Sequence, residues 1–190
     1  MSTGNLVWFI TGANSGLGLA MATYALSQGH TVILTACNLD KFPNYLKDEP
    51  NADLIKVEIA GPAASIMAAV NDAVSRHGRV DMSSLRGLDA GQGAPLYAAS
   101  KFAVEGLAEG LYNELKDFRI QVHLIEPGAF RTNFLADTSQ GKSMRRAVEG
   151  YIDINSLLAP YHGKQTGDPQ RGAERIFEVV TGTGMGHGLE

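Results

Sequence analysis

The chain has 190 residues, 44% hydrophobic and 19% charged, a balance that suits one globular domain with a sizeable core. A net charge of −4 leaves no basic footprint and argues against nucleic acid as a partner, while a single cysteine excludes an internal disulfide and fits a reducing compartment. No apolar run reaches the ~18–20 residues that cross a bilayer, so no membrane partner is expected.

Residues 6–10, Leu-Val-Trp-Phe-Ile, are apolar without helical period, as a strand buried on both faces should be. A strand this early leaves no room for a signal peptide, so the cytoplasm is the expected location. A glycine-rich turn over 11–18 follows, and 17–28 reads as a helix stopped by Gly29. Residues 31–35 make a second buried strand. Residues 38–46 are polar and interrupted by Pro43, a short helix or loop. Residues 54–59 alternate as a third strand. Pro62 suits a helix start, and Ile66, Val70, Ala73 and Val74 line one face as far as Arg76, with Gly78 as the stop. Residues 80–84 are a short strand and 86–95, with three glycines, a loop. Residues 96–118 form a long helix with Val104, Leu107, Leu111 and Leu115 on one face. Residues 120–125 are the next strand. The segment 134–170, polar and mixed as far as 161, reads as a flap on the substrate side. Residues 171–180 close with a helix. The glycine-rich stretch 182–188 imitates a phosphate loop, but it follows a helix and is expected to fray. The alternation of strands and helices gives an α/β class with a parallel sheet, as a single domain over 1–190.

Two motifs carry chemistry. Tyr97-Ala-Ala-Ser100-Lys101 lies thirteen residues beyond Ser84. A Tyr and a Lys four apart share one helix face, and the ammonium favours ionisation of a phenol whose free pKa is about 10. That suits proton exchange with a substrate oxygen near neutral pH, which a Ser hydroxyl from a preceding strand can also hold. The second motif, Thr11-Gly12-Ala-Asn14-Ser15-Gly16-Leu17-Gly18, runs from a strand into a helix N-terminus. Such a turn makes an anion site, here with the spacing G-x-x-x-G-x-G.

Together these residues resemble the short-chain dehydrogenase/reductase family. The matches are Gly12-x-x-x-Gly16-x-Gly18, Ser84, Tyr97-x-x-Ser100-Lys101 and Pro127-Gly128-Ala-Phe-Arg-Thr132, in family order, over most of the chain. The resemblance implies a Rossmann-type doubly wound parallel sheet in three layers. It implies NAD(P)-dependent interconversion of a secondary alcohol and a ketone, on a small-molecule substrate. Tyr97 would be the general acid/base, Lys101 would lower its pKa and hold the nicotinamide ribose, and Ser84 would polarise the substrate oxygen. Gly12, Asn14, Ser15, Gly16, Leu17 and Gly18 would wrap the cofactor, with Tyr97, Lys101, Pro127 and Gly128 on the nicotinamide side and Thr132 bonding the nicotinamide amide or the pyrophosphate. Cys37 falls where the adenosine ribose would lie. Many relatives carry Arg there, and NAD-preferring ones an Asp at the position of Ala36. The lack of an acid tilts the choice slightly towards NADP over NAD. Glu58 matches an acidic position near the adenine, and is equally an ordinary polar strand residue.

Several features bound this reading. Tyr112 and Lys116 repeat the Tyr-x-x-x-Lys pattern, but no Ser accompanies them, so Tyr112 is expected to be a half-buried packing residue. Ser83 competes with Ser84, and the family interval selects Ser84. The five histidines show no metal-ligand spacing, so no metal site is expected. The family continues the strand near Val80-Asp81 into an Asn-Asn-Ala-Gly turn, a long helix and a further strand ending at the Ser. Here Asp81-Met82 runs straight into Ser83-Ser84. The resemblance therefore implies a fold shortened by about one strand-helix unit, with strand 80–84 fusing two family strands, and a C-terminus short of the family's last strand. The family's helical Asn and part of its dimer surface would go with that unit, which leaves the oligomeric state open. Two readings stand: an active oxidoreductase, or a shortened product that holds a nucleotide at most.

Overall fold

The computed structural model describes residues 4–58, 61–77, 83–85, 95–115, 117, 122–136, 150 and 158–188. The chain divides into two compact units, Met1–Met82 with Pro169–Glu190, and Ser83–Asp168.

In the first unit, β1 (Val7–Thr11), β2 (Thr31–Ala36) and β3 (Ala52–Lys56) form a parallel sheet with β2 in the middle. The register sets Val7 against Thr31 and Thr11 against Thr35, then Val32 against Ala52 and Ala36 against Lys56. The apolar runs of β1 and β2 are buried, as strands covered on both faces require. Alternate side chains of β1 serve opposite faces. Val7 and Phe9 join Ile33, Val70 and Ala73, so α3 (Ala63–His77) covers that face. Trp8 stacks on Phe177 of α5 (Pro169–Thr181) with ring centroids 5.5 Å apart. Tyr24 of α1 (Gly16–Ser27) meets the same Phe177 edge-on at 5.2 Å. The unit is thus helix, sheet, helix. Glycine 29, at φ +82°, ends α1: its amide donates to Leu26 O and that of His30 to Ala25 O, the paired bonds of a left-handed helix stop. A 3-10 turn (Leu39–Lys41) and a four-residue helix, α2 (Asn44–Lys47), fill the stretch broken by Pro43.

In the second unit, β4 (Ser83–Leu85) pairs in parallel with β5 (His123–Ile125), and the connection carries α4 (Pro95–Leu115), which packs on β5. Pro95 opens α4, where its missing N–H costs nothing.

Several sequence expectations need correction. The third strand runs over Ala52–Lys56, not 54–59, because β2 ends at Ala36 and offers no ladder beyond it. Ser84 stands in the middle of β4, opposite Leu124, and not at a strand end. Leu107, on the apolar face expected of α4, is 61% exposed. Tyr112 keeps 51% exposure. The 182–188 stretch does not fray. It folds back on α5, with Thr183 N donating to Glu178 O at 2.9 Å and Met185 N to Glu178 Oε2 at 3.1 Å. Gly186 is buried there, and a Cβ on it would overlap the Glu178 carbonyl. The predicted positions Ile59, Gly78, 80–82, 86–94, Lys116, 118–121, 137–149 and 151–157 lie outside the described residues.

Candidate functional site

The first unit gathers residues at the carboxyl edge of its sheet. Gly12 and Gly16 sit at φ +61° and +57°, in the left-handed region that side chains disfavour. Gly18 is needed for another reason: a Cβ on it would come 2.8 Å from the Gly12 carbonyl oxygen. Helix α1 therefore presses directly on the turn. Ala13 is fully buried and its amide donates to Thr35 O at 3.1 Å, tying the turn to β2. Ser15 caps α1 with extended backbone, and its exposed side chain makes no capping bond. Leu19 N donates to Ser15 O, so the amides of Gly16, Leu17 and Gly18 head the helix without an intrahelical acceptor. No acidic residue stands in that first turn. Free amides, the positive end of the helix dipole and no competing carboxylate suit a phosphate. Leu17 is buried and can offer only its backbone, while Asn14 is half-buried.

Because the sheet is parallel, β2 and β3 end at the same edge as β1. Cys37, exposed, follows β2, and Glu58, exposed, follows β3. Gly12 to Gly18, Cys37 and Glu58 thus lie along one edge, where open α/β sheets hold ligands.

The second unit holds the other candidates. Tyr97 and Lys101 stand one turn apart on α4, and Lys101 is half-buried. For Ser84, Tyr97 and Ser100 the description stops at the backbone. After β5 come Pro127, half-buried, and Gly128, exposed, at which a Cβ would meet nothing within 4 Å. Thr132 caps a 3-10 turn (Asn133–Leu135), its Oγ1 accepting the Phe134 amide at 3.3 Å.

Sequence reasoning missed two features of this unit. Glu105, one turn beyond Lys101, hydrogen-bonds Glu126. Its carboxyl is held above the ordinary range, first by burial and then by that bond and the Glu126 charge. The helical spacing from Lys101 was the available signal. Arg131 sits within the quoted Pro-Gly motif, yet its charge alone gave no partner; the structure joins it to residues 165–168. Among the described residues, no helix is long and apolar enough to cross a membrane.

The family profile described as short chain dehydrogenase matches residues 6–82 and 80–143, two stretches that meet at 80–82. An uncharacterized oxidoreductase of Schizosaccharomyces pombe is 24% identical over 228 alignment positions, covering 90% of this chain and 76% of that protein. That span exceeds the 190 residues here, so the relative carries residues with no counterpart in this chain. A short-chain dehydrogenase from Streptomyces avermitilis superposes with a TM-score of 0.76 at 24% identity, covering 93% of this chain and 84% of that one. A short-chain dehydrogenase/reductase from Burkholderia phymatum, solved with NAD, gives 0.73 at 16% identity, with 95% and 87% covered. These likenesses give the fold: Rossmann-like α/β, a parallel sheet with flanking helices.

Proposed function

The chain belongs to the short-chain dehydrogenase family of oxidoreductases, and from that premise we propose that it binds a nicotinamide dinucleotide and interconverts a secondary alcohol and a ketone. The observation that carries the reading is the turn at the head of α1. Its left-handed glycines, the close approach at Gly18, the amides free of intrahelical acceptors and the acid-free first turn fit a pyrophosphate. The Burkholderia neighbour's NAD supports the same ligand class.

The bound nicotinamide would supply or accept the hydride. The chain's own residues do the rest. Tyr97 gives a proton to the carbonyl oxygen in reduction and takes it back in oxidation. Lys101, on the same face of α4, stabilises the phenolate and holds the ribose. Ser84 hydrogen-bonds the reacting oxygen. Pro127, Gly128 and Thr132 take the nicotinamide side. Gly12, Asn14, Ser15, Gly16, Leu17 and Gly18 take the phosphates, and Cys37 and Glu58 the adenosine half. Ala36, buried, stands where NAD-preferring relatives carry an Asp, and the lack of an acid there tilts the choice slightly to NADP over NAD, although Cys37 replaces the Arg that would pair with a 2′-phosphate. A cytoplasmic location goes with this reading.

The test is turnover on a panel of secondary alcohols and ketones, followed by nicotinamide absorbance. Tyr97→Phe should lower kcat by about 10²-fold or more, the range for a lost general acid/base, and Tyr112→Phe should leave it nearly unchanged. Full activity in Tyr97→Phe would refute the mechanism. The meeting of the two matched stretches at 80–82 favours a second reading. In that reading the chain binds nucleotide and turns nothing over.

A further inference from the structure

We propose that Arg131 is a positioning residue, a clasp that fastens residues 165–168 onto the turn after β5 and so fixes Thr132 for the nucleotide; its second half rests on the function proposed above. The chain leaves this turn at Thr132 and returns at Gln165. Closing so long an excursion costs chain entropy, and its two ends are tied by backbone and side chain alike. Arg131 N donates to Gly167 O at 2.8 Å, Gly167 N donates to Ala129 O at 3.1 Å, and Phe130 and Gly167 form a parallel bridge. Over this bridge the Arg131 guanidinium closes. Its Nη1 donates to Gln165 O at 2.9 Å and to Thr166 O at 3.1 Å, and its Nη2 reaches Asp168 Oδ2 at 3.5 Å.

The carbonyls matter more than the carboxylate. Gln165 is buried, so its carbonyl needs a donor that water does not readily replace. The Asp168 contact is long, and both side chains are more than two-fifths exposed, so solvent screens it. A planar fork holds one nitrogen over the two carbonyls and the other towards the carboxylate in fixed geometry, which the single ammonium nitrogen of a lysine reproduces only in part. Gly167 shows how close the approach is: a Cβ there would lie 2.7 Å from Ala129 O and 2.8 Å from Phe130 Cδ1. Thr132 is the next residue after the clasp, and its amide turns back to Phe130 O at 2.9 Å. Loosening the clasp therefore moves the residue proposed to meet the nicotinamide side.

The test compares Arg131→Met, Arg131→Lys, Asp168→Asn and Gly167→Ala with the parent. Amide hydrogen exchange at positions 131 and 167, read by NMR without nucleotide, reports the clasp itself. NADPH titration by fluorescence reports its effect on binding. Arg131→Met and Gly167→Ala should speed exchange at the bridge about tenfold, the factor for one net hydrogen bond. They should weaken NADPH by about three- to tenfold. Arg131→Lys should restore part of both, and Asp168→Asn should change neither. Where turnover is measurable, KM should rise with kcat nearly constant, whereas a loss of folded protein would lower apparent kcat alone. Unchanged exchange in Arg131→Met would overturn the clasp. Faster exchange with unchanged NADPH affinity would overturn its role in positioning. A parent that binds no NADPH would refute the proposed function and the positioning role with it, and the exchange arm would still decide the clasp.

Discussion

Glycine-to-alanine exchange at two helical positions should act with opposite sign. Gly18 lies in the first turn of α1, and Gly106 in the middle of α4. Alanine improves helix propensity at either site by about 0.8–1 kcal/mol. At Gly106 a Cβ meets nothing within 4 Å, so the gain should appear nearly whole. At Gly18 the new carbon would stand 2.8 Å from Gly12 O, 3.2 Å from Gly12 C and 3.4 Å from Ala13 Cα. All three are backbone atoms of a turn pinned to β2 by the Ala13 amide, so they cannot swing aside. Ordinary C···O contacts lie at about 3.3–3.6 Å. Overpacking of this kind costs about 1–3 kcal/mol, more than the propensity returns. The net expectation is a loss of about 1 kcal/mol for Gly18→Ala against a gain of similar size for Gly106→Ala. In a chain of this size each corresponds to about 2–4 °C in Tm. Thermal and urea melts followed by circular dichroism measure both. A Gly18→Ala variant that melts at or above the parent would show that α1 does not press on the turn, and the steric reason given for that glycine would be wrong.

Burial lowers the His30 pKa, and its Nδ1 accepts the Leu6 amide at 2.9 Å. The unfolded imidazole takes up protons more readily than the folded one, so stability should be full above the ordinary value of about 6.5 and fall as pH drops below it. Melts from neutral to mildly acidic pH should show this slope, and His30→Gln should flatten it; an equally steep slope in the variant would refute the assignment. Glu105 has the opposite sign: its carboxyl is raised, so its contribution is fullest below the ordinary carboxylate range and is lost as pH rises. Glu105→Gln should raise Tm at neutral pH and lose that advantage in acid. A lower Tm at neutral pH would contradict it.

How much of this was legible in the sequence follows from how local each determinant is. The runs of β1 and β2 announce themselves because strands covered on both faces have no polar position to spare. The stop at Gly29 and the turn at Gly12 and Gly16 are readable because left-handed backbone selects glycine. Gly18 was readable as part of a pattern, but its reason, the Gly12 carbonyl of the turn before the helix, is a contact in space. The end of β3 depends on where β2 stops, which its own residues do not encode. Leu107 sits in a regular apolar stripe yet faces outward, because periodicity marks a face without telling what covers it. The glycines at 182–188 looked like a loose tail, and the Glu178 carboxylate that folds them back is several residues upstream. Arg131 meets its carbonyl partners some 35 residues further along, a pairing no local pattern carries.

The turn at the head of α1 is proposed to hold a nicotinamide dinucleotide. Its most direct test is titration of the purified chain with NADPH and NADH, followed by nucleotide fluorescence, with Gly18→Ala alongside. Saturable binding of at least one nucleotide is expected below millimolar concentration, NADPH slightly the tighter, with a clear weakening in Gly18→Ala. No saturable binding of either nucleotide at millimolar concentration would contradict it.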